Sequence, residues 1–233
     1  MSPVTWPEIK SVSCHMANPF FSGTSLFQNL NPEKREKVLR AAVSEFASKG
    51  YRSASMNSVV KVAQISKGSL FQYFRTKRDL FDGVVEMAVN EVKSYLRGVR
   101  EQSSPLSFPE RLEKLLRAGF AFIDNHPLLA RIYFHLLQSG EAPFGAERIR
   151  RLHRLSDEFL TELIEEAIQR GEMRRDLDAA RTAFLINALL ETLLRAYYTE
   201  HLASEPGLYK GKGEKLDRWV AAFRDLVTRG LML

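Results

Sequence analysis

Seven basic side chains and no acidic one lie between Phe46 and Arg78: Lys49, Arg52, Lys61, Lys67, Arg75, Lys77 and Arg78. Cations gathered without carboxylates suit a polyanion, because each phosphate they neutralise releases a condensed counterion. The bias is local. Residues 31–100 hold 14 Lys and Arg against 7 Asp and Glu, residues 101–233 hold 19 against 20, and residues 1–30 hold one of each, so the formal charge of +6 belongs to one third of the chain. Charge alone describes an ordinary solvated face equally well. Its company gives it a use: Ser66-Lys67-Gly68-Ser69, then Gln72, puts small and hydrogen-bonding side chains at the start of a short helix. Such a front can approach base edges in a major groove about 12 Å wide. Lys67 and Lys77, near the two ends of that helix, can then reach phosphates on either wall.

Placing such a set requires helices, and caps and apolar stripes supply them. Asn31-Pro32-Glu33 opens the first, with Val38, Leu39, Ala42, Val43 and Phe46 at three-to-four spacing and Gly50 as its stop. Ser53 or Ser55 can cap a second helix carrying Val59, Val60 and Ala63. Ser66 opens the third, Lys67 to Phe74, whose Leu70, Phe71 and Phe74 are expected to face a three-helix core, although an aromatic at the rim can also pack on sugar. The tight turn between Ala63 and Ser66 makes the pair a helix-turn-helix. Thr76-Lys77-Arg78-Asp79 has the form of a capping box. It starts a long linking helix with the stripe Leu80, Val84, Ala88, Val92 and Leu96.

Beyond a linker at Ser103 to Pro109 the chain alternates helical stripes with stop signals at His126-Pro127, Gly140, Gly171 and Pro206 to Gly213, and no strand pattern occurs. The fold class is all-α. The expected domains are a flexible N-terminal arm at 1–30, a three-helix helix-turn-helix DNA-binding domain at 31–85, and a helical domain at 86–233, to which a family resemblance assigns regulatory ligand binding and dimerisation. A chain 45% hydrophobic and 27% charged, with no apolar run near the roughly 20 residues a membrane helix needs, reads as globular and cytoplasmic. The arm, with Lys10 and the lone Cys14, lacks the build of a secretory signal. Catalysis finds no support: Gly-x-Ser-x-Gly, His-Glu-x-x-His and a P-loop are missing, and His126, His135 and His153 are well separated. No cofactor or metal is expected.

The stretch from Arg35 to Phe81, above all Ser66 to Leu80, resembles the DNA-binding domain of TetR-family transcriptional regulators. Ala41-Ala42, Phe46, Gly50-Tyr51, Ser55, Ala63, Ser66-Lys67-Gly68, Leu70, Tyr73-Phe74 and Lys77 fall where that pattern expects them. The resemblance implies that Ser55 binds a phosphate, that Lys67, Gly68, Ser69 and Gln72 lie in the major groove, that Asn57 reaches a base edge, and that Lys77 clamps the backbone. Three positions depart from the pattern: Gln64 where the turn usually has Gly, Phe71 where Tyr is common, and Val60 where Ala is common. Gln64 must then adopt a left-handed conformation at some cost or reshape the turn. Phe71 has no hydroxyl to offer a phosphate, a contact that Tyr73 is placed to take over.

The same resemblance implies a homodimer built from the last two long helices, Asp178 to Leu202 and Glu214 to Gly230, with Tyr197, Trp219 and Phe223 as interface anchors or, alternatively, as intrachain core. It also implies an effector pocket. Phe120, Ile123, Tyr133, Leu137, Phe159, Leu163, Phe184 and Asn187 are the candidate lining, and Asn187, His126 or Glu191 the polar contacts, although Glu191 and Arg195 also have the spacing of a helical ion pair. The implied function is a ligand-responsive repressor, released from a palindromic double-stranded DNA operator by a small hydrophobic or aromatic effector. The alternative is a protein-interaction adaptor on the same scaffold without operator binding.

Overall fold

The structure, a computed structural model, describes residues 23–139, 146–202 and 207–231; the side chains of residues 137–139, 146–149 and 151–152 are not included. Lys10 and Cys14 lie outside the described residues. Every regular element among them is helical: α1 Ser25–Gln28, α2 Pro32–Ser53, α3 Met56–Ala63, α4 Lys67–Tyr73, α5 Lys77–Ser103, α6 Phe108–Asn125, α7 Pro127–Ser139, α8 Ala146–Gln169, α9 Ala179–Tyr198 and α10 Glu214–Leu231, with a 3-10 turn at Glu200–Leu202. The chain forms two compact units. The first comprises the described residues up to Asn90 together with α7, and the second comprises Glu91–Asp124 with α8, α9 and α10.

In the first unit the local signals produce the helix ends. The Asn31 side chain accepts the Glu33 N–H at 2.9 Å, and Pro32 occupies the first turn, where its missing donor costs nothing. Gly50 breaks the helical run at φ 69°, a conformation that glycine adopts without steric penalty. The Thr76 N–H donates to Asp79 at 2.9 Å and the Asp79 N–H to the Thr76 hydroxyl at 3.1 Å, completing the capping box of α5. Val38, Ala42, Phe46, Val59, Leu70, Phe74, Leu80 and Val84 are buried. Each large one contributes roughly 1.5–3 kcal/mol of transfer free energy. Helix α2 packs on α3 and on α7, and α3 on α4.

Three expectations change here. Residues 23–30 are not a free arm: α1 is folded, and Phe27 is fully buried with its ring 4.6 Å from Phe74. Phe71 does not face the core but is 39% exposed, because Leu70 and Phe74 already fill the inner side of a helix only two turns long. Helix α7, expected with the C-terminal domain, packs on α2 in the first unit. An apolar stripe shows that a face is covered and says nothing of what covers it.

In the second unit α8 packs on α9. Asp178 caps α9 by accepting the Arg181 N–H at 3.0 Å, and Gly171 (φ 74°) closes α8. Gly119 lets α6 lie close to α9: a Cβ there would stand 2.6 Å from Leu194 Cδ2, and that side chain would have to shift. Leu112, Leu116, Leu163, Ile164, Ile186, Val220 and Val227 form the apolar interior. Among them lies the buried Arg111 guanidinium, 3.0 Å from Glu166, and the charge-assisted contact holds the Glu166 carboxyl below its ordinary pKa.

Candidate nucleic-acid interface

The turn between α3 and α4 keeps its helix-turn-helix shape despite Gln64, which takes up the left-handed conformation at φ 55°, ψ 44°. Ser66 then caps α4: its Oγ accepts the Ser69 N–H at 2.9 Å and shares a second hydrogen bond with the Ser69 hydroxyl at 2.8 Å. That cap brings Lys67, Gly68 and Gln72 to an exposed face, with Ser69 half-buried beside them. Gly68 meets nothing closer than the Ser66 hydroxyl at 3.8 Å from where a Cβ would stand, so the front of the helix is open. The Lys67 ammonium lies 6.0 Å from the centre of the exposed Phe71 ring.

The flanking residues differ in how far their polar groups are already engaged. Ser55 sits at the N-cap of α3 without capping it, which leaves the hydroxyl available, while its N–H donates to Glu45 at 2.8 Å. Asn57 is exposed on the first turn of α3. Glu45 is buried and accepts from Lys49 at 2.8 Å as well. Burial pushes its carboxyl up, and the Lys49 ammonium, the Ser55 N–H and the Ser58 hydroxyl together more than reverse this, leaving the pKa below its ordinary value. Lys77 is not a free cation. Its Nζ donates to the Arg52 and Ala54 carbonyls, both at 2.9 Å, and lies 4.9 Å from the centre of the Tyr51 ring. Two of its three donors thus tie α5 to the turn before α3, leaving one for a phosphate. Tyr73 is half-buried, with its ring 5.7 Å from Phe27.

An exposed two-turn helix capped by Ser66, following a left-handed turn and carrying no acid, is the geometry of a groove-reading element. Comparison with known proteins agrees. Residues 38–84 match the family model for bacterial regulatory proteins of the tetR family, and residues 105–200 match the tetracyclin repressor-like C-terminal domain, together more than half of the chain. The chain belongs to the TetR family. The HTH-type transcriptional regulator YhgD of Bacillus subtilis is 27% identical over 169 residues, covering 72% of this chain and 86% of that one. A TetR-family regulator from Chloroflexus aurantiacus is 28% identical with a TM-score of 0.65, covering 91% and 99% of the two chains. The FadR regulator of Bacillus subtilis, solved in complex with stearoyl-CoA, has a TM-score of 0.65 at 16% identity, covers 84% and 98%, and so shares the fold.

The residues expected at a TetR effector pocket fall into different surroundings. Phe120, Ile123 and Leu163 are buried in the second unit, Phe120 with its ring 4.6 Å from Tyr197. Phe159 is half-buried under the Arg100 guanidinium, 5.7 Å from the ring centre. Asn187 donates to Asp157 at 2.9 Å, and Glu191 lies 3.8 Å from His153. Tyr133 belongs to the first unit, with its ring 5.4 Å from Phe134, and the Leu137 side chain lies outside those described. A groove of about 430 Å³ along α8, lined by Arg154, Asp157, Glu158, Thr161, Glu162 and Ala180, contains none of the candidate lining residues.

Two of the three expected interface anchors are core. Tyr197 is buried and its hydroxyl donates to Asp124 at 2.6 Å; burial and that carboxylate push its pKa far above the ordinary phenol value. Phe223 is buried too, and only Trp219 is part-exposed. Phe184, expected at the pocket, is instead 61% exposed, and Leu185 (62%) and Leu189 lie with it on one outer face of α9; Leu226 is exposed on α10. The signal for that face was present as apolar residues flanking the inner stripe of α9 on both sides.

Proposed function

We propose that this TetR-family protein is a homodimeric repressor that reads a palindromic operator through α4 and releases it on binding a small hydrophobic or aromatic effector. The observation that carries the reading is the open, acid-free face of α4, with Lys67, Gly68 and Gln72 exposed and Ser69 beside them. Ser55, Asn57, Tyr73 and the remaining Lys77 donor serve the flanking phosphates and bases. One such helix reads only a few base pairs, so useful specificity needs two related by a twofold axis. The exposed apolar face of α9 supports pairing. The effector reading is supported by the Asn187–Asp157 pair, half-buried beside the aromatic and aliphatic interior of the second unit, and by the stearoyl-CoA complex of the FadR regulator with the same fold.

Selection of bound duplexes from a random pool at about 0.15 M salt tests the first part. The expected product is one palindrome with half-sites about one helical turn apart; enrichment of no sequence would refute it. For the second part, acyl-CoAs, free fatty acids and aromatic acids are screened for a raised melting temperature and for release of the selected duplex. A compound that stabilises the protein yet leaves operator affinity unchanged would rule it out as the effector.

A further inference from the structure

Helix α4 has only seven residues, well short of the 12–15 or so that a helix needs to persist alone in water. Its direction therefore depends on what holds its ends. Ser66 holds the start. At the other end, the Leu70 carbonyl accepts the Phe74 N–H at 2.8 Å, and the carbonyls of Gln72 and Tyr73 have no later residue of the helix to serve them. Both are served by Thr24. Its hydroxyl donates to the Gln72 carbonyl at 2.8 Å and its N–H to the Tyr73 carbonyl at 3.0 Å.

Thr24 is itself held in place. It opens α1, whose Phe27 is fully buried against Phe74 and Tyr73, and the Arg35 guanidinium donates to the Gln28 carbonyl at 3.2 Å, fastening α1 to α2. This segment precedes the stretch that matches the TetR DNA-binding model. We propose that Thr24 is a positioning residue for sequence reading: seated by Phe27, it clamps the last carbonyls of the recognition helix and so sets where the Gln72 side chain points. The inference rests on α4 being the groove-reading helix. It predicts a separation of effects, because Thr24 acts on the end of α4 that carries Gln72 and leaves the cations that grip phosphate untouched. Discrimination falls while grip stays.

The test uses the full chain and three variants: Thr24→Ala removes the hydroxyl bond, Thr24→Ser restores it, and Thr24→Pro removes both bonds at a backbone φ of −64° that proline already favours. Affinity for the pool-selected duplex and for a scrambled duplex of equal length is measured across a salt series. Thr24→Ala is expected to lower the ratio of the two by about two- to tenfold, the usual worth of one hydrogen bond, with scrambled-duplex affinity and salt slope unchanged. Thr24→Ser should regain the ratio and Thr24→Pro should lose more. An unchanged ratio in Thr24→Pro, an equal loss on both duplexes, or failure of serine to rescue would overturn the proposal. Amide hydrogen exchange without DNA separates this from failure of operator reading itself. Residues 71–74 should exchange faster in Thr24→Pro than in the parent, and unaltered exchange there overturns the clamp even if the parent selects no duplex.

Discussion

Helices α4 and α9 each turn an open face to solvent, and the two faces are opposite in kind. On α4 the face is Lys67, Gly68 and Gln72, on a helix too short to stand without support at both ends. On α9 it is Phe184, Leu185 and Leu189, on a helix of 20 residues capped by Asp178. A polar face is at ease in water and gains by meeting phosphate, whereas apolar surface left in water forgoes roughly 25 cal/mol for every Å² that a partner would cover. The α4 face therefore suits a polyanion, and the α9 face suits an apolar partner.

The largest expected effect comes from reversing the chemistry of the α9 face. Phe184→Glu with Leu185→Glu should convert a dimer to a monomer at micromolar concentration, read by sedimentation, and weaken operator binding by about a hundredfold, the size expected when buried apolar anchors are lost. A variant that stays dimeric would mean that α9 is not the pairing face and would remove the contrast with α4. Lys67, which begins α4, and Lys77, which follows it, give the next test. Lys77→Ala strips two carbonyls of their donor and should cost about 1–3 kcal/mol of stability in a denaturant titration, whereas Lys67→Ala should leave stability unchanged. Lys67→Ala should instead lower affinity for every duplex by about tenfold at low salt, with the salt slope falling by about one. Equal stability losses would show that Lys77 is no more structural than Lys67.

How much of this was legible in the sequence follows from the span of each interaction. The caps at Asn31, Ser66, Thr76 and Asp178 were legible because each bond closes within three residues, and the helix-turn-helix followed from them. At Gln64 the family resemblance left two outcomes open, a left-handed residue or a reshaped turn, and the structure has the first. Thr24 on Gln72 spans 48 residues, Lys77 on Ala54 spans 23, and Tyr197 on Asp124 spans 73. No local pattern encodes those partners, so residues 23–30 were grouped with the arm and Tyr197 stood open between interface anchor and intrachain core. Phe184 shows the same limit from the other side: helical spacing groups it with an inner stripe, yet its rotation about α9 carries it outward.

A smaller effect probes whether the base of the helix-turn-helix is as settled as its face is open. Glu45 holds the Ser55 N–H and Lys49 with a depressed pKa. Its contribution is therefore present above the unfolded carboxyl value of about 4.3 and is lost as pH falls through the lower folded value. Stability measured from pH 7 down to 3 should fall less steeply in Glu45→Gln than in the parent. Parallel curves would remove Glu45 from the account.

The smallest effect lies in the turn. Gln64 at φ 55° carries a left-handed strain of roughly 1–2 kcal/mol that glycine escapes, partly offset because glycine also loosens the unfolded chain. Gln64→Gly should therefore gain about 0.5–1 kcal/mol, raising the melting temperature by about 2 °C in a chain of this size. Gln64→Ala keeps the strain and should gain nothing. Since Gln64 is exposed and outside the set that faces DNA, neither change should move the ratio of selected to scrambled duplex affinity. If glycine stabilises the turn but lowers that ratio, then the strain at Gln64, as well as the clamp at Thr24, sets the angle at which α4 is presented.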